Sequence, residues 1–106
     1  MTMSAAEQFD LLADLLRADP DLDVDRRDSS LVVGERAFAH LDGTALVVLL
    51  PESRAVDLID RDIAKPAAGD APDGAHWVSI DDTSDWNELA NEAHTFARGR
   101  LPGRES

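Results

Sequence analysis

The sequence predicts an α+β fold. One compact domain is expected, in which an N-terminal helix, an antiparallel three-stranded meander, a second helix, a further short strand and a C-terminal helix follow in order. Three observations predict it. Ser4-Ala5-Ala6-Glu7 has the form of a capping box and opens a stretch of helical apolar spacing. Two turn dipeptides, Gly34-Glu35 and Asp42-Gly43, punctuate the apolar run from Leu31 to Leu50. A second helical spacing runs from Trp86 to Ala97. At 106 residues, 43% of them hydrophobic, the chain is sized for one core. The domain is expected over residues 1–100, with 101–106 a flexible C-terminal tail.

In the capping box, the Ser4 hydroxyl and the Glu7 carboxylate each satisfy a backbone N–H that the first helical turn leaves free. Phe9, Leu12, Ala13 and Leu16 then form the apolar stripe, with Asp10, Asp14 and Arg17 on the polar side, until Asp19-Pro20 ends the pattern. Leu11 and Leu15 lie off that stripe and either widen the buried face or contact another subunit. Residues 19–30 form an acidic connector with a short edge strand around Leu22 and Val24, where apolar and polar positions alternate.

Leu31 to Val33, Arg36 to Leu41 and Thr44 to Leu50 read as the meander. Glycine at the first position of Gly34-Glu35 suits a type II′ turn, and Asp42-Gly43 suits type I′. A two-residue Asp42-Gly43 loop pairs Leu41 with Thr44, Ala39 with Leu46, Ala37 with Val48 and Arg36 with Leu49. The last strand is apolar on both faces, which predicts an interior strand covered on both sides. Pro51 begins the second helix, with Ala55, Val56 and Ile59 as its apolar side and an end near Asp62. The stretch from Arg61 to Ala75, with two prolines and two glycines, reads as a loop long enough to move. His76 to Ile80 alternates as a strand, with Trp77 and Val78 facing opposite ways. The last helix starts near Asp85, with Asp85 and Glu88 at capping spacing, and ends at Arg98-Gly99.

Composition excludes several function classes. There is no cysteine, so disulfides, thiolate nucleophiles and cysteine metal sites are ruled out. The longest apolar stretch, Ala45 to Leu50, is far below the roughly 20 residues of a membrane helix, and no basic segment precedes an apolar run. A soluble, unexported, cytoplasmic protein is expected. The 22 acidic residues, 16 of them Asp, stand against 10 basic ones, for a net charge of -12. Such a surface favours solubility or a basic partner protein, and it opposes binding to phosphate backbones, which rests on Lys and Arg.

No motif carries chemistry. His40, His76 and His94 sit in three different elements without metal-ligand spacing, and read as ordinary surface or half-buried side chains. Ser29, Ser30 and Ser79 lack the glycines of a nucleophile elbow. The Asp19, Asp21, Asp23, Asp25 series lacks the glycine and terminal Glu of a calcium loop and reads as a solvated edge. Arg98, Arg100 and Arg104 make the main basic cluster, and Arg98 suits a helix C-terminus. Trp77 and Trp86 both fit apolar patterns and read as core. No catalytic residue, cofactor or metal site is expected, and the chain reads as a non-enzyme.

The run Gly34-Glu35-Arg36-Ala37-Phe38-Ala39, then Leu41-Asp42-Gly43, Leu46-Val47-Val48-Leu49-Leu50-Pro51, Trp77-Val78, and Trp86 with Leu89 and Phe96, resembles the MmcQ/YjbR-like proteins and the related TfoX N-terminal domain over roughly residues 5 to 98. The resemblance implies a compact fold with a double-wing motif predicted to bind DNA, whose wings here supply Arg26, Arg27 and Arg36. Leu49 stands where many relatives have Lys, and Asp28-Ser29-Ser30 where many have a Met-Phe-Gly-like segment. The function expected is therefore a non-catalytic binding or regulatory domain acting through a protein partner or self-association; the alternative is a DNA-binding protein that uses the hairpin as a wing.

Overall fold

A computed structural model describes residues 3–34 and 36–99. Helix α1 (Ala5–Arg17) leads into four strands, β1 (Val24–Arg27), β2 (Ser30–Val33), β3 (Arg36–Asp42) and β4 (Ala45–Pro51). Helix α2 (Glu52–Asp60), the two-residue β5 (Lys65–Pro66), β6 (Ala75–Ile80), a 3₁₀ turn (Thr83–Asp85) and α3 (Trp86–Gly99) complete the order. The strands make one antiparallel sheet in the order β1-β2-β3-β4-β6-β5. The α+β class is as the sequence predicts. The expected tail lies outside the described residues, and among those described no helix is long and apolar enough to cross a membrane.

Local chemistry sets the first elements. The capping box forms: the Ser4 hydroxyl accepts from the Glu7 N–H at 3.2 Å, and the Glu7 carboxylate accepts from the Ser4 N–H at 2.9 Å. Phe9, Leu12, Ala13 and Leu16 are buried, whereas Leu11 and Leu15 are 49% and 64% exposed and do not widen that face. The edge strand exists as β1, but it begins at Val24 and leaves Leu22 in the preceding turn, and it extends the meander to four strands. Its hairpin with β2 turns at Asp28, which takes a left-handed φ of 55° without a glycine, a conformation Asp tolerates better than most residues.

Two features of β3 differ from the sequence pattern. Observed pairs are Asp42 with Ala45, Leu41 with Leu46 and Ala39 with Val48, so the two-residue loop is Gly43-Thr44 rather than Asp42-Gly43. Gly43 at φ 63° then occupies the first central position, where a type II′ turn requires positive φ, and Asp42 is spared one. The pairing moves by two residues, an even number, so every side chain stays on its expected face. Between Leu31 and Val32 the β2–β3 register slips by one, leaving Phe38 as the extra residue of a bulge. Phe38 and Ala39 are both fully buried as a result.

All three helices pack on one face of the sheet. Phe9, Leu12 and Leu16 of α1, Leu58 of α2 and Trp86, Leu89, Ala90, Ala93 and Ala97 of α3 enclose Leu31, Phe38, Leu46, Val48, Leu50, Val78 and Ile80. The alanines bring α3 close to β3 and β4. Helix α2 is turned differently from its expected stripe: Ala55 and Leu58 are buried, Ile59 is partly so, and Val56 is exposed. Strand β4 runs into α2 at Pro51 without a connecting loop, so the strand direction, rather than the apolar pattern, sets the helix rotation.

The opposite face carries no helix, so β4 is interior but not covered by helices on both sides. There Val47 pairs with His40 and Ser79, and Leu49 pairs with Trp77. The His40 and Trp77 rings meet across β4 with centroids 5.2 Å apart. Trp77 is therefore half-buried on this face, unlike Trp86, whose buried indole N–H donates to the Ile80 carbonyl at 2.9 Å. The segment expected as loop is ordered in its first half. Ile63 and Ala64 donate to the Leu58 carbonyl, and β5 adds to the β6 edge. Asp82 caps the 3₁₀ turn that leads into α3, accepting from the Ser84 N–H at 3.0 Å, and Asp85 is the last residue of that turn.

Candidate functional site

An open concave feature lies between α2 and α3. Pro51 ends β4, and Arg54 follows within the first turn of α2. On α3, Glu88, Asn91, Glu92 and Thr95 fall three or four residues apart and share one face. With Phe96 these residues line an open groove of about 650 Å³. Arg54 crosses from α2 to grip Glu92 in a fork, Nε to Oε1 and Nη2 to Oε2, both at 2.9 Å. Its Nη1 donates to Asp57 at 3.0 Å, and Glu88 lies 3.9 Å from Nη2.

This arrangement fixes the groove's charge. Paired hydrogen bonds make the Arg54–Glu92 contact the strong geometry for a guanidinium and a carboxylate, and the hydrogen bond to Glu92 is the largest factor raising the Arg54 pKa. Three carboxylates surround one guanidinium, which is thereby unavailable to an incoming anion. Asn91 and Thr95 turn back onto the helix, donating to the Asn87 and Asn91 carbonyls at 2.7 and 3.1 Å. The groove thus presents apolar walls at Pro51 and Phe96 and an acidic rim. The Thr95 hydroxyl is bonded to the Asn91 carbonyl, and the apolar walls with an acidic rim suit a cationic, partly apolar group.

The three arginines expected on a wing do not converge. Arg26 lies on the helical side: its Nη1 is 2.8 Å from Asp10, its Nε donates to the Asp28 carbonyl, and its guanidinium sits 5.1 Å from the Phe9 ring centre. Arg27, next along β1, faces the other way and is exposed. Arg36 is half-buried at the opposite end of the strands. Arg27 is level with Ser30 and Arg36 with Val33, about 10 Å apart along the strand at 3.3 Å per residue.

The other candidates disperse as well. His94 is 3% exposed, against the expectation of a surface or half-buried histidine. Its Nε2 lies 2.5 Å from the Leu22 carbonyl, to which it donates, and its ring meets Phe38 edge-on at 5.4 Å. One helical turn on, the Arg98 guanidinium donates to the Asp21 carbonyl; Arg100 and Arg104 lie outside the described residues. His76 is 3.8 Å from Glu52. Burial holds the His40 pKa below its ordinary value, opposed by Asp42. In the acidic connector, Asp19 accepts from the Asp21 N–H and stabilises a turn, and Asp25, within β1, accepts from the Arg26 N–H. Two hydrogen bonds from Ser84 hold the Asp82 carboxyl below the usual range. Among the described residues, no group of three or more His, Asp or Glu could hold a metal ion, and Ser29, Ser30 and Ser79 make no hydrogen bond to a histidine.

Sequence reasoning did not find Arg54 and Glu92. The signal was present in part, since Glu88 and Glu92 lie four apart beside the apolar stripe of α3, but their counter-charge is 38 residues away on another helix. Compared with protein-family models, curated proteins and solved structures, the chain matches none.

Proposed function

We propose that this chain is a non-catalytic, cytoplasmic binding domain of the MmcQ/YjbR-like kind, acting through a protein partner. The groove between α2 and α3 receives a basic, apolar segment of that partner. The observation that supports this reading is the groove itself: about 650 Å³, with Pro51 and Phe96 as walls and the Arg54 guanidinium outnumbered by Glu88 and Glu92 in its lining. Net charge of -12 steers a cationic partner toward the domain and repels nucleic acid. The DNA-wing reading has less support, because Arg26 is occupied by Asp10, Arg27 faces away from it, and Arg36 lies at the opposite end of the strands. Leu11 and Leu15, exposed four residues apart on α1, favour self-association as a second reading.

Fluorescence anisotropy with three labelled probes tests the proposal: an amphipathic peptide of Leu and Lys, the same peptide with Glu for Lys, and duplex DNA. Saturable binding of the Lys peptide is expected, weakening with salt and falling about tenfold in Thr95→Arg, which adds a cation to the rim. Equal binding of the Glu peptide, or binding of DNA alone, would overturn it. A salt-resistant dimer in sedimentation equilibrium, lost in Leu15→Asp, would put self-association in its place.

A further inference from the structure

A smaller hollow of about 230 Å³ lies at the end of the sheet, where Arg36 begins β3 and the Leu49–Trp77 pair joins β4 to β6. Asp70 and Pro72 close it from the segment before β6, and the small side chains of Ala37 and Ala97 leave the space open. Its wall is held firmly. The Trp77 indole N–H donates to the Asp70 carbonyl at 2.7 Å, and Gly69 lies so close to the ring that a Cβ there would stand 3.0 Å from Trp77 Cδ1. The indole's only donor is thus committed, and what it offers to a ligand is its ring.

Arg36 stands out in this setting. Its Nε is shielded from solvent and has no acceptor among the described residues. Nor does the guanidinium form an ion pair or any other hydrogen bond among them, whereas Arg26, Arg54, Arg61 and Arg98 are all engaged. Native proteins rarely leave a buried donor unsatisfied, and an unsatisfied one calls for a missing acceptor. A guanidinium supplies parallel donors matched to a carboxylate, and planar groups stack on an indole.

We infer that this hollow is a binding site for a small aromatic monocarboxylate, with the carboxylate on the Arg36 guanidinium and the ring against Trp77, Leu49 and Pro72. The volume is below that of a drug-sized site and admits a single ring. One cation balances one negative charge. Asp70 at the rim and the acidic protein around it repel a phosphate dianion, which selects a monoanion. The site is separate from the groove between α2 and α3 and does not depend on it.

The test is a titration of the ¹⁵N-labelled full chain with benzoate and with benzylamine, followed by the Nε–H resonance of Arg36 and the two indole N–H resonances. Benzoate is expected to shift Arg36 and Trp77 saturably while the buried Trp86 indole stays in place, and benzylamine to shift neither. In Arg36→Gln, benzoate affinity is expected to fall at least about tenfold, with the Trp86 resonance reporting that the fold is intact. Ala37→Leu, which fills the hollow and keeps the cation, is expected to abolish binding as well. The site is refuted if benzoate moves neither resonance, if benzylamine binds equally, or if both variants bind benzoate as the parent does.

Discussion

On one face of the sheet, Leu46, Val48 and Leu50 of β4 lie beneath three helices; on the other, their neighbours Val47 and Leu49 have no helix above them. Both sets are nearly inaccessible to water, but by different means. The helical face is closed by apolar side chains from α1, α2 and α3. The bare face is closed by cross-strand neighbours, chiefly His40 and Trp77, and by the segment that carries Gly69 and Asp70. Low exposure alone therefore does not identify where the stability lies. The bare face keeps polar and aromatic groups within reach of solvent, and the hollow beside Arg36 opens at its end.

The sharpest way to break this comparison uses two adjacent residues. Leu50→Ala removes a side chain from the helical core and is expected to cost about 2–5 kcal/mol in urea denaturation. Leu49→Ala, at the edge of an existing hollow, is expected to cost only about 1–2 kcal/mol, nearer the transfer cost of its lost methylenes alone. Equal losses would mean that the two faces are energetically alike. Gly69→Ala addresses the bare face directly. With φ at 142° and a Cβ pressed on the indole, it is expected to destabilise by about 1 kcal/mol and to red-shift Trp77 emission as the segment lifts. Unchanged emission would show that this segment does not shield the ring.

The smallest effect is a pH dependence. Burial lowers the His40 pKa from its ordinary 6.5, so the unfolded chain binds the proton more readily than the folded one. Stability from this group is full above pH 6.5 and is lost as the pH falls from there through the lowered folded value. Thermal unfolding from pH 7.5 to 5 should show that decline in the parent and a shallower one in His40→Gln. Identical slopes would mean that His40 is not buried enough to matter on its face.

What was legible in the sequence was the chemistry that acts over a few residues. Ser4 and Glu7 announce their cap, the stripe from Phe9 to Leu16 announces its face, and the glycine turns announce hairpins. Short-range chemistry without a glycine was harder to read, so the turn at Asp28 left β1 as no more than an edge strand. The choice between Asp42-Gly43 and Gly43-Thr44 as the loop rests on which residue takes the positive φ, and dipeptide composition favours the wrong one. The bulge at Phe38 and the rotation that buries Leu58 in place of Val56 are set by packing across the sheet, which no local window contains. The same holds for the site: Arg36 was noticed for its charge, but its burial, and the grip of Arg54 on Glu92, exist only once distant elements meet.

His94 and Arg98, one turn apart on α3, hold the carbonyls of Leu22 and Asp21 across 72 and 77 residues of chain. The connector ahead of β1 and the last turns of α3 therefore open as one unit. Parting the connector from His94 leaves a buried imidazole donor without its acceptor. Amide hydrogens at both places should exchange at a common rate set by a shared opening rather than by their separate distances from the chain ends. An acidic, proline-containing connector is thereby tied down by two side chains from the last turns of α3.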